Sequence, residues 1–329
     1  MSDILVSVVL IGYNVGKYLN ESINSVVNQT YDNIEIIYVD DGSFDNSVEI
    51  AERFTNRKNI DFRIITQTNI GANGARISGF LDARGDAVMF VDGDDTLPTN
   101  AIELLINSWP ADSDFIAGNF SFNVNERFAL NEKWTVGDFD SIQYTNLVVS
   151  DQLPPYLIGR LYRTSYLRDA SFSTFPRLSM AEDLAASVLF AESLTKVTYI
   201  ADTVYNYRVS EGSMSRVVSE RYKEIPVALS TVAESLKKQR IINVSQYMEF
   251  RWFLIFLWYV VGNAQPGTDI QRFLYIESKK HSISLLNNTY VTAYLKNVSI
   301  ARKMLLWAYY VSYGLGVCLA KRYLNVSKR

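Results

Sequence analysis

The sequence predicts an α/β fold with a mostly parallel sheet flanked by helices, followed by a helical C-terminal region. Three observations predict it. Apolar runs of buried-strand length alternate with helically spaced segments over the first 115 residues. Acidic residues stand directly after two of those runs, and from residue 219 onward the pattern is helical alone.

The elements follow in order. LVSVVLIGY (5–13) is a continuous apolar run and reads as a buried strand. GKYLNESINSVVNQ places Leu19, Ile23, Val26 and Val27 on one helical face. IEIIYVD (34–40) is a second strand and DNSVEIAERF (45–54) a second helix. FRIITQ (62–67), GARISGFLDA (74–83) and AVMFVD (87–92) continue the alternation, which is the signature of parallel strands joined by helical crossovers. Residues 116–215 are mixed, with a clear helix over AEDLAASVLFAESL (181–194) and strand and turn over VTYIADTVYNYRV. The domain reading is 1–215 for the α/β part, with 1–115 and 116–215 as its two sides, and 216–329 for the helical region.

Composition narrows the chemistry. Hydrophobic residues at 48% and charged residues at 20% are ordinary for a globular protein of 329 residues. The one cysteine, Cys318, rules out an internal disulfide and points to a reducing compartment. The N-terminal stretch has no basic region or cleavage site, so the expectation is a cytoplasmic protein, peripheral at most at the inner face of the cell membrane. His281 is the single histidine, which leaves little room for Ser-His or Cys-His dyads or a His-rich zinc site. Carboxylates, hydroxyls and arginines must then carry any catalysis, and they suit hard cations such as Mg²⁺ or Mn²⁺.

Two acidic clusters stand where ligands gather in an open parallel sheet, at the carboxyl ends of strands: Asp40-Asp41 and, in VDGDD, Asp92, Asp94 and Asp95. An Asp-Gly turn accounts for one aspartate, not three. Like charges so close repel unless a cation sits among them. A D-x-D at a strand end offers oxygens to a divalent cation and to a ribose hydroxyl. Glu182 and Asp183 open a helix, where complementing the macrodipole is the ordinary reading and general-base work the functional one.

The segments SVVLIGYNVGKYLNESINSVVNQTYDNIEIIYVDDGSFDNS, NIGANGAR and VMFVDGDD together resemble the family-2 glycosyltransferases of the GT-A fold, closely over residues 5–115 and less specifically through AED (181–183) and YNYRVSEGSMSR (205–216). The resemblance implies a Rossmann-like GT-A domain and a nucleotide-sugar site. In it Tyr13 and Asp41 flank and pair with the nucleobase, and Arg76 holds the nucleotide or the D-x-D loop. Asp92 and Asp94 match the D-x-D, with Asp94 as direct metal ligand and Asp95 beside it. Asp183 matches the catalytic base of inverting members, and Arg208 and Ser213 to Arg216 match a segment near the diphosphate. It also implies a UDP-sugar donor, Mn²⁺ or Mg²⁺, and a glycan, lipid-linked or protein-linked acceptor. The chain departs from the family's pattern at Ile11-Gly12, at Ile77 and over 71–74, which bears on donor details and not on the fold.

Rival readings fit less well. A nicotinamide dehydrogenase wants G-x-G-x-x-G after the first strand, and GYNVGK does not supply it. A nucleotidyl-transferring enzyme would show a P-loop or a basic, glycine-rich loop. A donor-binding scaffold without turnover is the non-enzyme alternative. Residues 1–215 carry a net charge of −14 and residues 216–329 one of +11, so the halves are expected to meet different partners. The basic half is interleaved with apolar runs, which suits a membrane surface or a homo-oligomer contact better than nucleic acid. Arg251, Trp252, Phe253, Phe256, Trp258 and Tyr259 on one helix serve either, with a core helix as the default. MLLWAYYVSYGLGVCLA (304–320) has no charge, but its glycines and tyrosines weigh against spanning. Packing in a helical or oligomeric core is the first expectation there, and interfacial contact the second.

Overall fold

A computed structural model describes residues 4–55, 60–124, 127–130, 134–175, 178, 180–209, 219–262, 266–281 and 283–327. The chain divides into two compact units, Met1–Met214 and Ser215–Arg329.

In the first unit, β1 (Val6–Gly12), β2 (Ile34–Asp40), β3 (Asp61–Thr66) and β4 (Ala87–Asp92) pair in parallel in the order β3-β2-β1-β4. They alternate with α1 (Gly16–Val27), α2 (Ser47–Glu52) and α3 (Ala72–Asp82). Every residue of β1 and β2 is buried, as expected for strands covered on both faces. Close helix packing requires a small residue at Gly79 of α3, where an added Cβ would stand 2.3 Å from Val9 Cγ1.

The sheet then becomes mixed. After α4 (Ala101–Ser108) come β5 (Phe115–Val124), β6 (Arg127–Leu130) and β7 (Gly137–Asp140). These are followed by α5 (Ser141–Val149), β8 (Arg160–Arg163), α6 (Thr164–Asp169), α7 (Glu182–Phe190) and β9 (Lys196–Arg208). The full order is β3-β2-β1-β4-β8-β5-β9-β7, with β6 on β5. β8 runs antiparallel to both β4 and β5, whereas β9 returns parallel to β5. Strand-helix alternation thus builds the first half of the sheet, and the second half adds antiparallel strands that the sequence left undivided.

The second unit is helical: α8 (Ile225–Lys238), α9 (Val244–Ile255), α10 (Asp269–Lys280), α11 (Thr289–Leu295), α12 (Ile300–Val311) and α13 (Tyr313–Ser327). α9 runs on as a wider π-type turn over Phe256–Val261. Trp252, Phe253, Phe256, Leu257 and Val260 are buried there and form core, whereas Trp258 is exposed and Tyr259 half-buried. The apolar segment 304–320 is not one helix. Ser312 is extended (φ −157°, ψ 142°) and ends α12, and Gly316 of α13 sits so close to the Tyr309 ring that a Cβ would be 2.2 Å from it. Among the described residues no helix is long and apolar enough to cross a membrane, which removes the spanning reading.

Candidate active site

β1, β2 and β4 end level with one another, because Gly12 pairs with Asp40 and Ile11 with Asp92. The chain leaves β1 toward β2 on one side and returns to β4 on the other, so a crevice opens between β1 and β4 at the switch point. The loops after these strands bring the two acidic clusters to one edge.

The β2 turn is fixed from inside. Asp40 accepts from Ser43 N at 2.9 Å and from the Tyr38 hydroxyl at 3.2 Å. Gly42 adopts φ +80°, and a Cβ there would meet Asn69 N at 3.0 Å. Asp41 is buried and accepts from Gln67 Nε2 (2.8 Å), Ile70 N (2.9 Å) and Gly71 N (2.9 Å). Its carboxylate therefore holds the loop before α3 at the mouth of the crevice. Tyr13 is half-buried, with its ring edge-on to that of Phe44.

The β4 turn carries three aspartates in three different situations. Asp92 Oδ1 accepts from Arg76 Nη2 at 2.8 Å. Asp95 is buried and fully engaged by β9: Oδ2 accepts from the Tyr205 hydroxyl at 2.9 Å and Oδ1 from Arg208 N at 2.7 Å. Burial, with Asp94 and Asp92 nearby, raises its carboxyl well above the usual range. Asp94 lies between them. Burial and the Asp92 charge push its carboxyl up to about 6, against the opposing pull of its own backbone N–H and the Arg208 charge. No hydrogen bond from another described residue reaches its carboxylate, so this is the one aspartate of the three still short of a partner.

Arg208 clasps the same turn. Nε donates to the Asp94 carbonyl at 2.8 Å, Nη2 to Glu21 at 2.6 Å, and the guanidinium lies 4.9 Å from the Tyr18 ring centroid. Tyr205 also accepts from Asp92 N at 3.0 Å, so one hydroxyl ties both ends of the D-x-D-D turn to β9.

α7 brings in the last carboxylates. Ala181 takes a left-handed conformation (φ 55°) at its N-cap and offers no side-chain cap, a local strain of the kind that collects at functional sites. It turns Glu182 and Asp183 toward the crevice side occupied by Arg76. The fully buried Arg76 bridges Asp92 and Asp183, the latter at 3.6 Å from Nη1. Burial raises the Asp183 carboxyl and the Asp92 charge adds to this, while Arg76 and the buried Arg160 pull it down. Burial and its neighbour's charge push Glu182 up to about 7. Asn73 Nδ2, Arg76 Nε and Asp183 Oδ1 are all buried without a hydrogen-bond partner. Such atoms are rare, and three at one place set this spot apart from the ordinary core.

The structure thus gathers Asp92, Asp94, Asp95, Arg76, Asp183 and Arg208 into one site, with Asp41 and Tyr13 on the neighbouring loops. Ser213 and Arg216 lie outside the described residues. Sequence reasoning did not single out Tyr18, Glu21, Asn73 and Tyr205, although each lies inside a matched segment, nor Arg160, which lies in none.

The family model described as Glycosyl transferase family 2 matches residues 7–166. The uncharacterized glycosyltransferase EpsJ of Bacillus subtilis is 46% identical over 252 residues, covering 75% of this chain and 70% of its own. The chain belongs to glycosyltransferase family 2. The glycosyltransferase GlyG of Streptococcus pneumoniae is 33% identical over 228 residues, 64% of this chain and 73% of GlyG. The cholesterol galactosyltransferase of Borreliella burgdorferi is 29% identical over 276 residues, 79% and 76% of the two chains. Among solved structures, S. aureus TarS 1-349 in complex with UDP-GlcNAc aligns with a TM-score of 0.66 over 97% of this chain and 91% of that one, at 19% identity. That likeness shows the GT-A-like fold. This family-2 chain is accordingly a glycosyltransferase.

The site also fits a divalent cation of the Mg²⁺ or Mn²⁺ type. Among the described residues no group of three or more His, Cys, Asp or Glu is placed to hold a metal by itself. Mg²⁺ commonly binds through one or two carboxylates together with substrate phosphates. Asp94, lacking a partner and raised by burial beside Asp92, suits that arrangement.

Proposed function

We propose that this glycosyltransferase moves a hexose or N-acetylhexosamine from a UDP-sugar to an acceptor hydroxyl in glycan or glycoconjugate synthesis, with inversion at the anomeric carbon. The observation that carries this reading is the buried Arg76 between Asp92 and Asp183, with its own Nε and the neighbouring Asn73 Nδ2 and Asp183 Oδ1 all short of a hydrogen bond. UDP-GlcNAc and UDP are bound by the structural neighbour TarS, which favours a UDP-sugar here.

Tyr13 and Asp41 border the nucleobase end. Asp94, with Asp92, would hold Mn²⁺ or Mg²⁺, and such a cation offsets charge on a departing diphosphate. Arg76 is fixed by Asp92 and keeps a positive charge beside Asp183, favouring its ionised form. Asp183 takes the proton from the acceptor hydroxyl while that oxygen bonds to the anomeric carbon. The bond from that carbon to the UDP oxygen breaks, and UDP leaves with the electron pair. A single displacement inverts the configuration and needs no carboxylate nucleophile. Burial and the neighbouring Asp183 charge raise Glu182 to about 7, so it holds a proton for part of the time near neutrality.

Calorimetric titration of UDP and a panel of UDP-sugars, with and without Mn²⁺, on wild type and Asp94→Ala tests the reading. Metal-dependent affinity is expected in the wild type and absent in the variant. Because Asp94 must lose its proton to hold a cation and its carboxyl is raised to about 6, the Mn²⁺-dependent part should be flat above about pH 7 and fall about tenfold per unit below about pH 5. No binding across the panel would sink the donor assignment. Binding without turnover on any acceptor would favour the scaffold reading.

A further inference from the structure

We propose that the solvent-facing stripe of α12 is a docking face for a membrane surface rich in anionic phospholipid. Ile300, Met304, Trp307 and Val311 are 78%, 66%, 48% and 71% exposed. Their spacing, every third or fourth residue, gathers them within roughly 60° of the helix circumference. An apolar line of this kind is not what a solvated helix presents. The opposite side of the same helix does the ordinary work of a core element, since Leu306, Ala308 and Tyr309 are buried and the Tyr309 hydroxyl pairs with Gln271 at 2.9 Å. The exposed stripe is therefore additional to what folding requires.

The charge around it names the occupant. Residues 278–329 contain nine Lys or Arg and no Asp or Glu. Lys303 stands on the flank of α12, and Lys321 and Arg322 are exposed on α13. Lys280 of these nine is paired with Glu277; apolar side chains in a stretch that stays this basic match a bilayer interface, where acyl chains meet anionic headgroups and Trp settles at headgroup level. A second copy of the chain is a poorer match. It would bring the same positive charge against itself, and the stripe, about 18 Å long and one side chain wide, offers roughly 200 Å² against the roughly 800 Å² per partner of a stable interface. This inference does not depend on which sugar the site handles.

The test is co-sedimentation of the full chain with vesicles of mixed phosphatidylglycerol and phosphatidylcholine, and of phosphatidylcholine alone, at low and high salt. The wild type is expected to bind the mixed vesicles, to bind phosphatidylcholine alone far more weakly, and to release with salt. Met304→Ser/Trp307→Ser should weaken binding by about tenfold or more. Lys321→Glu/Arg322→Glu, which leaves the apolar stripe intact, should weaken it by about tenfold and reduce the salt dependence. Unchanged thermal midpoints in both variants establish that they fold. Failure to bind mixed vesicles at low salt overturns the proposal, as does undiminished binding by the stripe variant. So does a wild-type dimer by light scattering that the stripe variant dissociates without any vesicle affinity in the parent.

Discussion

Asp183→Asn is expected to lower turnover by about 10²–10⁴-fold while leaving UDP affinity within about twofold, because it removes a proton acceptor and not a donor-binding group. The substitution preserves shape. Burial and the Asp92 charge already disfavour the ionised Asp183 carboxyl, so a neutral amide there should leave folding unharmed and the loss can be read as chemistry. Single-turnover rates with a UDP-sugar and acceptor, set beside calorimetric UDP binding, separate the two quantities. Near-normal turnover would remove Asp183 as base. A parallel loss of UDP binding would make it part of the donor pocket instead.

Arg76→Ala should destabilise the first unit by about 1–3 kcal/mol, the cost of losing a buried guanidinium that pairs with two carboxylates about a quarter exposed. The effect has a predictable pH dependence. The Asp183 carboxyl is already raised in the folded chain, so the folded state holds that proton more tightly than the unfolded state. Its contribution to stability therefore falls as pH rises through the folded value. Losing Arg76 raises that value further. The destabilisation should thus be largest near pH 8 and smaller near pH 5, where protonation neutralises the acid. Urea unfolding at the two pH values checks this, and an equal penalty at both would show that Arg76 acts by packing alone.

Much of the donor half was legible because its signals are local. The buried runs of β1, β2 and β4 can only be strands covered on both faces, and strand ends place Asp41, Asp92 and Asp94 at one edge without any knowledge of tertiary contacts. Asp95 shows where that reasoning stops. In the sequence it is indistinguishable from Asp94, yet its two oxygens are held by Tyr205 and Arg208 N, more than a hundred residues away. No periodicity reports such a pairing. Arg76 was legible as a site residue, but its role as the bridge to Asp183 depends on where α7 begins, and that is set by the unusual backbone at Ala181. The apolar stretch 304–320 misleads for the opposite reason. Hydropathy averages over Ser312, where one extended residue ends the helix and converts a potential span into two.

The Tyr205 hydroxyl, which holds both ends of the D-x-D-D turn, sets an order of events during synthesis. The turn at 92–95 emerges early, but its fasteners on β9 follow 110 residues later, or roughly 6–20 seconds at ordinary elongation rates. Until then Asp95 lacks both bonds to its carboxylate, and Asp92 lacks the one from its N–H. A chain ending before β9 is expected to show no UDP affinity by calorimetry even with Mn²⁺ present, whereas one ending after residue 214 should bind. Placing the final fasteners of the donor site on a late strand means that the catalyst switches on only once its whole sheet has been made.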